Sequence, residues 1–246
     1  MTRWKLIVEY DGRPYAGWQR QDNVPTVQQT LEAALEKFAT TTIPVTAAGR
    51  TDAGVHAWGQ VVHFDLDKSR TADDVRDGLN FYLRPAPVAV LTAEAVADDF
   101  HARLSAVERR YCYRIINRRP PVAIEAGRVW QVPYVLNAEA MHEAGQRLLG
   151  THDFSSFRAT ECQAKSPVKT LDELRVSRHR EEIEVLVRAR SFLHHQVRNM
   201  VGSLALVGRG KWSADDLQRA LEARNRAAGG PTAPPEGLYF LDVKYR

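Results

Sequence analysis

The chain has 246 residues, 44% of them hydrophobic and 26% charged, which suits one large or two smaller globular domains with a sizeable core. It carries 34 basic against 30 acidic residues, a net charge of +4, which by itself is too mild to argue for a nucleic-acid partner. Cys112 and Cys162 are too few for a disulfide framework and fit no zinc spacing. Arg3, Lys5, Glu9 and Asp11 exclude a signal peptide over the first residues, and the longest near-apolar run, Met200 to Gly208, is too short for a bilayer, so a soluble cytoplasmic protein is expected.

In chain order, Trp4 to Tyr10 alternates as a strand with Leu6, Val8 and Tyr10 on one face. Asp11-Gly12 turns it, and the loop Tyr15 to Arg20 mixes aromatic and polar residues. Thr26 caps a helix to Phe38 with an apolar stripe of Val27, Leu31, Ala34, Leu35 and Phe38. Strand-like runs at Ile43 to Ala48 and Gly59 to Asp65 enclose Gly49-Arg50-Thr51-Asp52-Ala53-Gly54-Val55-His56. Two glycines five residues apart mark a tight irregular turn that holds a carboxylate, a guanidinium and an imidazole. Such a turn serves either to cap its own backbone donors or to present reactive groups from a rigid frame.

A short helix over Thr71 to Leu79 and a strand over Val88 to Val96 follow, then Asp98-Asp99-Phe100-His101-Ala102-Arg103. Ala106 to Asn117 reads as a strand in which Arg109, Arg110 and Arg114, with Arg118 and Arg119 beyond, face the single acid Glu108. Tyr111 and Tyr113 share one of its faces. That mixture fits a nucleic-acid surface, and equally a strand with a buried aromatic face and a solvated basic one. Arginine makes up 27 of the 34 basic residues, which suits phosphate and stacked bases but also a GC-rich genome.

Asn137 caps a helix that Gly150 ends, and His152 to Pro167 is a long unperiodic loop. Strands are expected at Thr170 to Arg178 and Ile183 to Ser191, and a helix at Phe192 to Val207 with Leu193, Val197, Met200, Val201 and Leu204 inward. His194 and His195 have no neighbouring acidic or cysteine ligand in sequence, so no metal site is expected. Ser213 and Asp216 form a capping box for a helix to Arg224, and Gly237 to Tyr245 is a final strand. Helices near residues 26 and 137, each between strands, suggest two strand–helix–strand–strand halves.

Gly49 to His56, with Gly59-Gln60-Val61-Val62-His63-Phe64 after it, resembles the active-site segment of the tRNA pseudouridine synthase A family. The Gly-Trp-Gln-Arg at 17–20, the Asp-Asp-Phe-His-Ala-Arg at 98–103, Arg-Tyr-Cys-Tyr at 110–113, His-His-Gln-Val-Arg-Asn at 194–199 and Gly-Leu-Tyr at 237–239 are similar to further segments of that family. Gln196 replaces a methionine of its pattern. The resemblance covers essentially the whole chain. It implies an α+β fold of two ferredoxin-like halves, residues 1–105 and 106–246, joined through a mostly antiparallel central sheet with a cleft. It implies conversion of uridine to pseudouridine at positions 38, 39 and 40 of the tRNA anticodon arm by a homodimer, with no cofactor and no membrane partner. Asp52 would be the catalytic nucleophile, Tyr111 an active-site residue touching substrate, and Arg198 the partner of the aspartate. Arg50, Arg70, Phe100, His101, Arg103, Lys165 and Leu238 would contact the RNA or line the pocket.

That reaction breaks the C1′–N1 bond and remakes it to C5, with no redox change and no water consumed. One ionised carboxylate can serve it as nucleophile, as base, or as partner of an oxocarbenium-like centre. A tRNA-binding module without turnover and a two-carboxylate glycoside hydrolase compete with this reading. The hydrolase needs a second acid near Asp52, and the nearest one downstream, Asp65, lies beyond a strand.

Overall fold

A computed structural model describes residues 1–246. The chain divides into two units, Met1–Val107 with Tyr239–Arg246, and Glu108–Leu238. No helix is long and apolar enough to cross a membrane.

The first unit contains β1 (Thr2–Tyr10), α1 (Val27–Ala39), β2 (Thr46–Ala47), β3 (His56–Leu66), α2 (Ala72–Leu83) and β4 (Val88–Val96). β1 lies antiparallel between β3 and β4, and β2 pairs antiparallel with β3. The resulting order, β4-β1-β3-β2, is that of a ferredoxin-like unit. The last strand of the chain, β10 (Leu238–Tyr245), runs parallel to the start of β3, setting Tyr239 opposite His56 and Phe240 opposite Ala57. Alternation in β1 puts Trp4, Leu6, Val8 and Tyr10 in the core. Val27, Leu31, Ala34 and Leu35 of α1 are buried too, the valine and leucines each contributing roughly 1.5–3 kcal/mol if fully removed from water.

The second unit contains β5 (Ala106–Asn117), β6 (Trp130–Val132), α3 (Ala138–Gly145), β7 (Gly150–Asp153), β8 (Val168–His179), β9 (Glu182–Ala189), α4 (Gln196–Gly208) and α5 (Ala214–Glu222). Its strand order is β5-β9-β8-β7, all antiparallel, with β6 added parallel to β5. The succession β5, α3, β8, β9, α4 repeats the first five elements of the ferredoxin-like pattern. The chain is thus α+β.

Several boundaries differ from the sequence expectation, each for a local reason. Only Thr46–Ala47 of the Ile43 to Ala48 run forms a strand; Pro44 has no N–H to give a ladder. α2 continues past Leu79 to Leu83, and the Asn80 side chain, one turn inside its end, both donates to and accepts from the Val90 backbone at 2.8 Å, docking the helix on β4. α4 begins at Gln196 rather than Phe192. His195 sits at φ 61°, and the Gln196 side chain accepts the Leu193 N–H at 2.8 Å, closing a turn where the helix was expected. β7 runs from Gly150, where the helix was expected to end, into the first two residues of the expected loop; it pairs antiparallel with β8 and adds a Thr151–Thr170 hydroxyl bond at 2.8 Å. The capping box of Ser213 and Asp216 is present at α5, as is that of Thr71 and Asp74 at α2.

Candidate functional site

The loop carrying Asp52 is fixed mainly by backbone, and its frame is the loop after β1. Trp18 N–H donates to the Thr51 carbonyl at 2.9 Å and Gly54 N–H to the Tyr15 carbonyl at 3.3 Å. Gly17, at φ +106°, lies so close that a Cβ there would stand 2.8 Å from the Thr51 oxygen and 3.2 Å from the Asp52 carbonyl carbon. Gly12 is tighter, with a Cβ meeting the Val55 oxygen at 2.1 Å, while its N–H donates to His56 Nδ1 at 3.1 Å. From beneath, the Tyr10 hydroxyl bonds Thr51 Oγ1 at 2.7 Å, and Gln60 of β3 donates to the Gly49 carbonyl at 2.8 Å. Burial pushes the Tyr10 phenol up to about 12, so it stays protonated and polar across the working pH range. Asp52 itself is partly exposed and Arg50 exposed on this rigid frame.

The segment 98–105 is a second fixed surface of the first unit. Arg3, bidentate to Asp65 at 2.8 Å, also donates to the Asp98 and Phe100 carbonyls. Ala102 N–H donates to His63 Nδ1 at 3.2 Å, and the Tyr245 hydroxyl donates to the Ala102 carbonyl at 2.8 Å. His101 caps its own turn, accepting the N–H groups of Arg103 and Leu104 on Nδ1, and its ring lies 4.8 Å from that of His63. Lys5 stands 5.9 Å from the Phe100 ring and 5.8 Å from that of Tyr245. The turn leaves Arg103 and Leu104 exposed at its tip. Arg70 is exposed at the foot of α2, its guanidinium 5.6 Å from the Phe38 ring.

His63 links that turn to pH. Burial first, then the charges of His101 and Arg3, lower its pKa below 6.5, against opposing contributions from Asp65 and the Thr46 backbone. A histidine whose folded pKa is depressed binds its proton more readily when unfolded. Stability contributed by neutral His63 is therefore complete above pH 6.5 and is lost as pH falls from there toward the folded value. Denaturant midpoints measured from pH 7.5 down to pH 5 should fall in the wild type and fall less in His63→Gln. Equal slopes would remove His63 as the cause.

In the second unit the expected basic strand is not a free charged face. Arg110 bonds Glu108 at 3.2 Å, and Arg114 bonds Glu182 at 2.6 Å and Glu125 at 2.7 Å. Arg188 on β9 bridges Glu108 and Glu173, and Arg109 is buried against the Arg190 carbonyl. Besides Glu108 of β5 itself, the acids come from other segments, so counting charge along β5 alone overstates its basicity. Tyr111 and Tyr113 are buried, and so is Cys112 between them, so β5 has no solvated face there. Tyr111 meets Phe192 edge-on at 5.1 Å, and Tyr113 donates its hydroxyl to the Pro234 carbonyl at 2.7 Å. Arg198, in the first turn of α4, donates Nε to the Ala233 carbonyl at 2.8 Å, and Ala233 N–H returns a bond to the Arg198 carbonyl at 3.1 Å. Leu238 is buried at the head of β10, and Lys165 is exposed in the loop before β8.

Two features had no signal in the sequence. A cavity of about 390 Å³ in the second unit is lined by Ser155, Arg158, Thr160, Arg224, Asn225 and Arg226, an assembly of two distant segments. In the first unit the rings of His56, Tyr239 and Trp58 stack in one column.

The fold is thus α+β, with a ferredoxin-like first unit that presents a carboxylate on a loop clamped by backbone. The chain belongs to the tRNA pseudouridine synthase family, whose profile matches residues 6–105 and 144–246. It is 64% identical over 245 residues to tRNA pseudouridine synthase A of Rhodospirillum centenum, covering the full length of both chains. It is 61% identical over 245 residues to the protein of the same name from Paramagnetospirillum magneticum, covering all of this chain and 96% of that one. The protein is therefore an enzyme that isomerises uridine to pseudouridine in tRNA. Asp52 and Arg198 lie within the matched residues; Tyr111 falls between them.

Proposed function

We propose that this enzyme acts on uridines 38, 39 and 40 of the anticodon arm, as a homodimer in the cytoplasm, with Asp52 as nucleophile. The observation that carries the assignment is the Asp52 loop: the backbone on either side of the carboxylate is fixed by bonds through Thr51 and Gly54, the rigid footing that covalent catalysis needs. Asp52 adds to the uridine, the C1′–N1 bond breaks and N1 takes up a proton, the base turns, C5 bonds to C1′ and loses its hydrogen as a proton, and the bond to Asp52 breaks, which restores the carboxylate. Atoms balance with no external reductant or water consumed. Tyr111 stacks on the target base, and Arg198 stabilises the ionised form of the aspartate. The uridine leaves its helix to be reached, at a cost of a few kcal/mol. Arg50 fills the position it vacates, while Arg70, Phe100, His101, Arg103, Lys165 and Leu238 contact the RNA or the base.

The positions are tested with tRNA transcripts in which uridine 38, 39 or 40 is replaced singly by cytidine, followed by mapping of the product. Each replacement should abolish only its own pseudouridine. Product retained in a transcript lacking all three uridines would overturn the assignment. Sedimentation at working concentration tests the dimer, which a fully active monomer would contradict.

A further inference from the structure

Trp58 lies two residues beyond His56 on β3, so both side chains leave the same face of the strand. The register of β10 brings Tyr239 opposite His56, and its ring enters between them. The Tyr239 ring stacks on His56 at 4.8 Å and 19°, and on Trp58 at 4.2 Å and 24°. His56 is 2% exposed and Tyr239 5%, whereas Trp58 is 38% exposed. The column therefore begins in the core and ends in an indole at the surface.

The column is rigid. A Cβ at Gly59, the next residue, would stand 2.5 Å from the Leu241 oxygen, so β3 and β10 approach closely just below the indole. At the other end His56 Nδ1 accepts the Gly12 N–H, the same contact that frames the Asp52 loop. Arg13, paired with Asp11, brings a cation to this end, and Asp11 lies 3.3 Å from the His56 ring nitrogen. Trp58 and Asp52 are thus supported by one framework.

We propose that Trp58 is a stacking platform for an unpaired base of the tRNA, next to the uridine that Asp52 attacks. Extruding a uridine strips its neighbours of a stacking partner, and an indole fixed on one face by Tyr239 replaces that partner without loss of side-chain freedom. Every base has a π-face, so the platform accepts different neighbouring sequences. The inference rests on tRNA being the substrate and not on which uridines are modified.

Trp58→Ala should weaken tRNA binding about tenfold, the scale of one lost base–aromatic contact. Because no phosphate contact disappears, the slope of log affinity against log salt should stay at the wild-type value. Trp58→Phe should retain most of the affinity, while the quenching of tryptophan emission by added tRNA is largely lost in it. The proposal is overturned if Trp58→Ala binds like wild type, if the salt slope falls, or if quenching persists in Trp58→Phe. A change of sedimenting mass in Trp58→Ala would likewise overturn it, by showing that a second copy of the chain covers the indole. Wild-type product is measured in the same series: its absence would reject the catalytic reading, whereas normal product with unaltered Trp58 variants rejects only the platform.

Discussion

Asp52→Asn is expected to lower turnover by about 10⁴-fold, the scale seen when a reacting group is removed from an otherwise intact site. Affinity for tRNA should stay within roughly threefold of wild type, since the amide keeps the size of the carboxylate. The bonds that hold the loop run through the backbone of Thr51, Asp52, Gly54 and Val55, and through the side chains of Tyr10 and Gln60. Those bonds all remain available when the carboxylate becomes an amide. Single-turnover rates at saturating enzyme, with affinity from filter binding, separate the two quantities. A variant that keeps more than about a tenth of the rate would show that the carboxylate is not the nucleophile.

Gly12→Ala should produce the second-largest effect while leaving the carboxylate in place. The added methyl would sit 2.1 Å from the Val55 oxygen and 2.5 Å from its carbon, distances that force backbone to move. Either the loop after β1 retreats or the Asp52 loop shifts, and in both cases the Gly12 N–H to His56 bond suffers. A displacement near 1 Å at a reacting group costs about 10²-fold in rate. We therefore expect turnover to fall by about that factor, with a lower melting temperature and a much smaller change in tRNA affinity. A wild-type rate would mean that the frame is softer than its contacts indicate.

The Asp52 loop was legible as a tight turn because its features are contiguous: Gly49 to His56 carries its own turn residues and its own carboxylate. Helix caps at Thr26, Asn137 and Ser213 were legible for the same reason, since each cap acts within three residues. What holds the loop was not legible, because Gly12 and Gly17 act through backbone proximity to residues far along the chain. The basic strand misled for a related cause. Two of the acids that answer it, Glu125 and Glu182, lie on other segments and both bond Arg114, and the antiparallel pairing of β5 with β9 brings Glu182 there. Trp58 had no signal because its role depends on Tyr239, which the parallel pairing of β10 supplies. β6 and β7 are three and four residues long and carry no periodic pattern to detect.

The central claim is that a single carboxylate on a backbone-clamped loop isomerises uridine in tRNA. Incubation with tRNA labelled with tritium at C5 of uracil tests it most directly. The account predicts tritium released to solvent in step with pseudouridine formed, with no free uracil and no abasic nucleotide, and neither product from Asp52→Asn. Release of free uracil would mean hydrolysis, and tight binding with no tritium release would mean a module without turnover; either result would contradict the account.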